Sequence, residues 1–291
     1  MGCGCDVLIN PYRYASSPLD SYTSNLWAAY SLTRLLTSYT GPLIRVRRSN
    51  DNAEQDIGYS GLALDTAALA TFVGSNSAFV KTVYDQSGAA HDLTQTTTAK
   101  QARIVNAGVY DAKGFFDGSN DSMVTPNSSG TNTAFHIFMK GKIRSEGSVR
   151  VICEQKNPVT YPGALLFTNF DSGNILQAAT GQDSTSADRE QTSASASSGF
   201  AAGGVLDILW DRTQSPGSAA VKFGLNGSVQ SANTPAGSNT TAFSPTTFEA
   251  VPWYLASRGD SSLFSDLDLV TWVIYEASKA SDRAAIAAAI A

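Results

Sequence analysis

The chain has 291 residues, 42% of them hydrophobic and 15% charged, with a formal net charge of −5. That is enough apolar material for a packed core and too little charge for a disordered chain. An acidic surface repels phosphate backbones, which argues against nucleic acid as a partner, and no stretch reaches the roughly 18 apolar residues of a membrane helix, which argues against membrane insertion.

Residues 1–18 read as an N-terminal arm. Met1-Gly2-Cys3-Gly4-Cys5-Asp6 has neither the basic start nor the apolar run of a secretion signal, so no signal peptide is expected. Asp6 stands where a myristoylation motif needs Ser or Thr. Cys3 and Cys5 read as two incidental thiols, or as half of a metal site or a cross-link shared with a neighbour; zinc needs four ligands, which favours the first. Val7-Leu8-Ile9 suits a short strand, and Asn10-Pro11 and Ser17-Pro18 suit turns.

Residues 19–37 are predicted to form an N-terminal helix, because Leu19, Tyr22, Leu26, Ala29, Tyr30, Leu32, Leu35 and Leu36 recur near a period of 3.6 and Gly41-Pro42 stops them. Arg45, Arg47 and Arg48 alternate with Ile44 and Val46, the pattern of a strand with one wet face. Asp65-Thr66 opens a shorter helix through Phe72, ended by Gly74. Beyond it the pattern is of strands: 79–84, 102–105, 114–117, 134–143, 149–154, 164–168, 173–179, 204–211, 219–225, 246–256 and 266–276. Short strands at such spacing predict a sandwich or barrel. Asp85-Gln86-Ser87-Gly88 reads as a turn in which Asp and Gln satisfy backbone donors and Gly takes positive φ. Residues 182–202, rich in Ser, Ala, Thr and Gln, read as a surface loop, and Asn226-Gly227 marks a hairpin. Ser281-Asp282-Arg283 opens a short C-terminal helix whose Ile286 and Ile290 form an i, i+4 docking pair. With no internal repeat and no second composition regime, residues 19–291 are expected to form one domain.

Three cysteines are too few for a disulfide framework, and Cys153 in Val151-Ile152-Cys153 reads as a small core residue. Of the two histidines, His91 reads as a surface or structural residue with a second reading as a sugar contact, and His136 alternates outward from its strand. Neither sits beside a serine or cysteine in an elbow context. Aromatic faces suited to a sugar ring are Trp210, Trp253, Tyr254, Tyr161 and Phe170, with core packing as the competing role; Trp27 and Trp272 read as core. Asp117, Asn120 and Asp121 offer hard oxygens for Ca²⁺, against the simpler reading of an Asx-rich turn. No cofactor is required by any of these residues.

Three segments carry resemblances. Tyr30-Ser31-Leu32-Thr33-Arg34-Leu35, Tyr39-Thr40-Gly41-Pro42-Leu43, Val46-Arg47-Arg48-Ser49-Asn50-Asp51 and Tyr84-Asp85-Gln86-Ser87-Gly88 through His91-Asp92-Leu93-Thr94-Gln95 resemble the start of the catalytic domain of the family-54 α-L-arabinofuranosidases. Phe115-Phe116-Asp117-Gly118-Ser119-Asn120-Asp121 resembles a strand-turn signature of laminin-G-like domains, as Phe264–Glu276 resembles their closing strand. The ensemble is similar to modules of bacteriophage tail, fibre and head-spike proteins. These resemblances imply a mainly β, concanavalin-like two-sheet jelly-roll sandwich with an N-terminal and a short C-terminal helix. In the arabinofuranosidases the acid/base is an aspartate in a Gly-Gly-Asp-Asn turn, which maps onto Asp260 in Arg258-Gly259-Asp260-Ser261. Their nucleophile is a glutamate in Asp-Met-Glu-Asn, for which the nearest match is Asp171, one methylene shorter. Their pair of adjacent cysteines has no counterpart.

The incomplete dyad, the arm and the missing signal favour a virion structural protein: a tail, fibre, spike or decoration module contacting host surface glycans. Such a protein is assembled in the bacterial cytoplasm, docks on other virion proteins through Met1–Ser17, and forms a homo-oligomer. The alternative is a retaining glycoside hydrolase of the arabinofuranosidase type using Asp260 and Asp171, so the sequence leans away from an enzyme without deciding.

Overall fold

The computed structural model describes residues 17–144, 149–156, 163–169, 175–181, 189–214, 220–234, 247–259 and 261–291, the side chains of 112–115, 169, 189–192 and 194 excepted. Its strands are β1 (Leu26–Ser31), β2 (Ile44–Arg48), β3 (Glu54–Ile57), β4 (Tyr59–Ser60), β5 (Ala63–Leu64), β6 (Ala78–Val83), β7 (Leu93–Thr94), β8 (Arg103–Asn106), β9 (Val109–Asp117) and β10 (Met123–Asn127). They continue as β11 (Ala134–Ile143), β12 (Arg150–Gln155), β13 (Ala164–Asn169), β14 (Ile175–Thr180), β15 (Arg189–Ser193), β16 (Val205–Asp211), β17 (Val221–Leu225), β18 (Ser228–Val229), β19 (Pro252–Leu255) and β20 (Asp266–Tyr275). The helices are α1 (Thr66–Val73), α2 (Ala194–Ala201) and α3 (Arg283–Ile290).

The fold is a mainly β sandwich of antiparallel sheets, as the strand spacing predicts. In one layer β20 lies between β11 on one edge and β1 followed by β9 on the other, and the layer runs on through β16, β17 and β18. The second runs β3-β2-β6-β7-β10-β19-β12-β13-β14-β15. The β8–β9 hairpin joins the two, since β8 pairs with β6 and β9 with β20.

Residue alternation explains the layering. Trp272 and Ile274 of β20 face the central core, together with Phe135, Ile137 and Met139 of β11. Val273, Tyr275 and Phe138 point to the opposite face, where Ile286, Ala287 and Ile290 of α3 cover them. The C-terminal helix is thus as predicted, and its i, i+4 pair docks. His136 also lies on this outer face but is fully buried beneath α3. It contacts Asp207 Oδ1 through Nε2 at 2.8 Å, Arg283 Nε reaches the same oxygen at 2.8 Å, and Nδ1 accepts the Lys279 N–H. Asp207 has room because its cross-strand partner is Gly224, where a Cβ would lie 2.0 Å from its carboxylate.

The predicted helix over 19–37 is corrected to turns and the strand β1. Asn25 adopts a left-handed φ of 57° ahead of the strand, and β1 pairs with β20 from Leu26 to Ser31. A strand buried on both faces, with Ala28 and Tyr30 inward and Ala29 under the outer cluster, is apolar throughout and mimics a helical period. Residues 182–202 are corrected in part: β15 pairs with β14, and Ser193 caps α2 through Ala196 N–H, burying Ala196 and Phe200. The expected cap and end of α1 and the expected hairpin are present. Asp65 caps α1, Gly74 ends it at φ 58°, and Asn226-Gly227 turns between β17 and β18 with both φ positive. The suggested strand Val7–Ile9 and the thiols of Cys3 and Cys5 lie outside the described residues.

The Asp85–Gly88 turn is a structural clamp. Asp85 Oδ1 accepts from Ala29 N–H and Ser87 N–H, and Oδ2 from Ser87 Oγ and His91 N–H. Gln86 Oε1 accepts from Leu35 N–H while its amide donates to Ser31 and Thr33 carbonyls. Two buried side chains thereby satisfy backbone groups of β1 and of the chain leaving it, where Thr33 also bridges Ala63.

Candidate active site at the turn after strand β19

The segment following β19 is strained. Ala256, Ser261 and Leu263 have φ of 62°, 60° and 52°, a left-handed conformation that costs a non-glycine residue about 1–2 kcal/mol. Hydrogen bonds on every side hold it. Arg258 N–H donates to Ser262 O, Ser261 N–H to Arg258 O, Ala256 N–H to Ile152 O, and Val151 N–H to Leu263 O. Lys100 Nζ reaches Ser261 Oγ at 3.0 Å.

Beneath this turn lies Glu154, fully buried on β12. Its Oε2 accepts the Gly259 N–H at 2.9 Å, and Arg258 Nε stands 3.6 Å from Oε1. Tyr254 is its cross-strand partner; partial burial, then the charge of Glu154, raises the phenol. The described neighbours of position 260 are thus hydrogen-bonded into this turn, Gly259 to the buried Glu154 and Ser261 to Arg258 and Lys100.

The candidates named from the sequence are distributed as follows. Asp260, Asp171, Tyr161 and Phe170 lie outside the described residues. Tyr254 belongs to the turn site. Trp210 and Trp253 are corrected as glycan contacts, since both are fully buried. Trp253 packs edge-on to Trp272 of the opposite layer at 6.0 Å and to Phe135 at 5.0 Å, and Trp210 lies 5.9 Å from Trp253. His91 stacks on Trp27 at 4.4 Å, its Nδ1 2.7 Å from Trp27 O, at a shallow cavity of about 320 Å³ also lined by Ser129, Asn132 and Glu276. Asp117, Asn120 and Asp121 form an Asx turn. Asp117 Oδ1 accepts from Ser119 N–H and Asn120 N–H, and Asp121 Oδ2 from Asp117 N–H. Burial, then the charge of Asp117, pushes the Asp121 carboxyl up to about 7. Among the described residues no group of three or more His, Cys, Asp or Glu is placed to hold a metal ion.

Glu154 was not singled out by sequence reasoning. The available signal was a carboxylate inside the run Val151-Ile152-Cys153-Glu154-Gln155, where a buried strand should carry none. Its neighbour Cys153 is a free, fully buried core thiol, as expected.

A family model described as "Alpha-L-arabinofuranosidase B, catalytic" matches residues 18–151. A probable alpha-L-arabinofuranosidase B of Aspergillus clavatus is 40% identical over 95 residues, which are 31% of this chain and 19% of that protein. An alpha-L-arabinofuranosidase of Hypocrea jecorina is 40% identical over 87 residues, 28% of this chain and 17% of the relative. The matched stretch thus spans about a fifth of these relatives. Among solved structures, an arabinofuranosidase complexed with arabinofuranosyl-alpha-1,2-xylobiose superposes with a TM-score of 0.65 at 16% identity, covering 94% of this chain and 65% of that one. A GH54 α-L-arabinofuranosidase soaked with a cyclic sulfate inhibitor gives a TM-score of 0.60 with the same coverage. The likeness in structure extends the shared fold well beyond the segment alike in sequence.

These matches overturn the reading as a virion structural protein, together with virion proteins and host surface glycans as partners and the virion as location. The segment that carried the resemblance matches the catalytic domain of arabinofuranosidases. Among the described residues no helix is long and apolar enough to cross a membrane.

Proposed function

We propose that this chain is a retaining glycoside hydrolase of the α-L-arabinofuranosidase type. The observation that carries the proposal is the match of residues 18–151 to the catalytic-domain family; the shared fold over 94% of the chain supports it. Asp260, whose chain neighbour Gly259 is bound by Glu154, is the acid/base: it protonates the glycosidic oxygen as the bond to the anomeric carbon breaks. A second carboxylate attacks that carbon to form a covalent glycosyl-enzyme, which water cleaves with Asp260 now acting as base. Asp171 is the residue we assign to that second role. Chemistry of this kind runs on two carboxyl groups roughly 5–5.5 Å apart and needs no cofactor.

The test is turnover of 4-nitrophenyl α-L-arabinofuranoside. The wild type is expected to release nitrophenol, and Asp260→Asn to lose about 10²–10⁴-fold in kcat. Azide added to an Asp260→Ala variant should restore part of the rate. A wild type inert on this and on natural arabinofuranosyl oligosaccharides would overturn the proposal, as would full activity in Asp260→Asn.

A further inference from the structure

A second cavity shares no lining residue with the turn site. It is a cleft of about 650 Å³ between the 3₁₀ turn Thr98–Lys100, the β8–β9 hairpin and the Asp117–Asp121 turn. Its lining carries three carboxylates, Asp111, Asp117 and Asp121, and three guanidinium groups; Arg144 pairs with Asp266 and Asp268, while Arg47 and Arg103 have no carboxylate hydrogen-bonded to them among the described residues. Arg47 is 8% exposed, and the oxygens that it reaches are neutral: Gln101 Oε1 at 2.7 Å, Asn52 Oδ1 at 2.8 Å and Thr98 O at 3.5 Å. Phe79 covers one face of it at 4.9 Å. The Arg103 side chain is exposed and makes no hydrogen bond or ion pair among the described residues; its charge is one of the influences on the Asp121 carboxyl. The Asp117 and Asp121 carboxylates are engaged by backbone N–H groups of their own turn. Buried cations are normally paired, because desolvation costs several kcal/mol per ion. An unpaired buried guanidinium opening on a cleft beside a second one is a seat for an anion, and a planar guanidinium matches a carboxylate in geometry.

The rest of the lining narrows the ligand. A cleft this large exceeds the needs of a small inorganic anion and falls in the usual range for small-molecule sites. Asn106 and Asn120 bring amides suited to hydroxyl groups, and the exposed Val109 brings apolar surface suited to the CH face of a ring. We propose that this cleft binds a sugar bearing a carboxylate, a hexuronic acid residue, with its carboxylate held by Arg103 and Arg47. The proposal stands apart from the hydrolytic reading, since it uses no residue of the turn.

Calorimetric titration of the full chain tests it. The probes are a disaccharide ending in glucuronic acid, the same disaccharide with the carboxyl reduced to an alcohol, and inorganic phosphate. The acidic disaccharide is expected to bind at least about tenfold more tightly than its reduced form, and Arg103→Glu to weaken it by at least about tenfold. Arg103 is exposed, so its variants should fold, and Arg103→Lys should retain part of the affinity. Asp260→Asn should bind as the wild type does. Equal affinity for the reduced disaccharide, indifference to Arg103→Glu, absence of binding, or binding of phosphate without the acidic disaccharide would each overturn the proposal.

Discussion

His136 carries its proton on Nε2, because Nδ1 accepts the Lys279 N–H and Nε2 faces the Asp207 carboxylate. Complete burial pushes its pKa down, and only part of that is offset by the bond to Asp207; Arg283 and Lys279 push in the same direction as burial. The folded state therefore binds fewer protons than the unfolded chain below the ordinary histidine value of 6.5. Stability conferred by neutral His136 is complete above that value and is lost as the pH falls below it, by up to about 1.4 kcal/mol per pH unit. Melting temperature measured from pH 8 to pH 5 should fall more steeply in the wild type than in His136→Gln. Asp121 works in the opposite sense. Its carboxyl is raised to about 7, so folding favours the protonated form, and stability is lost as the pH rises from about 4 through 7. Asp121→Asn keeps an acceptor for the Asp117 N–H and should stabilise the protein at pH 8 by on the order of 1 kcal/mol, allowing for solvent screening on the cleft side, and leave it unchanged at pH 4. Glu154 belongs to the same scale. Glu154→Ala removes the acceptor for Gly259 N–H and the charge beside Arg258, and should lower the urea midpoint by the equivalent of about 2–3 kcal/mol with an unchanged m value.

At the scale of elements, the pairing of β16 with β17 depends on a vacancy. Gly224 faces Asp207, and a methyl group there would meet the carboxylate that Arg283 and His136 share. Gly224→Ala should cost about 1–3 kcal/mol, detectable by urea unfolding, and should loosen α3 as judged by amide exchange of Ala287. These elements also show what the sequence conveys. The long strands β11, β16 and β20 were legible although buried on both faces, because they are apolar runs of strand length rich in β-branched and aromatic residues, and α3 was legible by its i, i+4 pair. β1 was not: its apolar residues lie among further apolar residues of the flanking turns and together mimic a helical period, and its partner β20 is far away in the sequence. β15 and α2 were hidden by a Ser- and Ala-rich composition, where one hydroxyl cap and the burial of Phe200 decide the structure. Of the candidate site, the family resemblance points to the segment Arg258–Ser261, whereas Glu154 was not legible, since only the fold brings β12 under that turn. Trp210 and Trp253 misled because an aromatic at a strand end looks the same in sequence whether its ring faces solvent or the opposite sheet.

At the scale of the molecule, the two layers meet across an aromatic seam of Trp272, Trp253, Phe135 and Trp210, with functional surface left to the rim. The turn after β19 and the Arg47–Arg103 cleft share no lining residue, and Lys100, at the end of the cleft's 3₁₀ turn, reaches Ser261 Oγ across the gap; on the two proposals above, one sandwich carries a reacting group and a binding cleft. The measurement that tests the central claim most directly is the proton NMR spectrum of the sugar first released from 4-nitrophenyl α-L-arabinofuranoside. A double displacement through two carboxyl groups predicts α-L-arabinofuranose as the initial product, with its anomeric signal appearing before mutarotation and absent with Asp260→Asn. Initial release of the β anomer, or no release of sugar by the wild type, would contradict it.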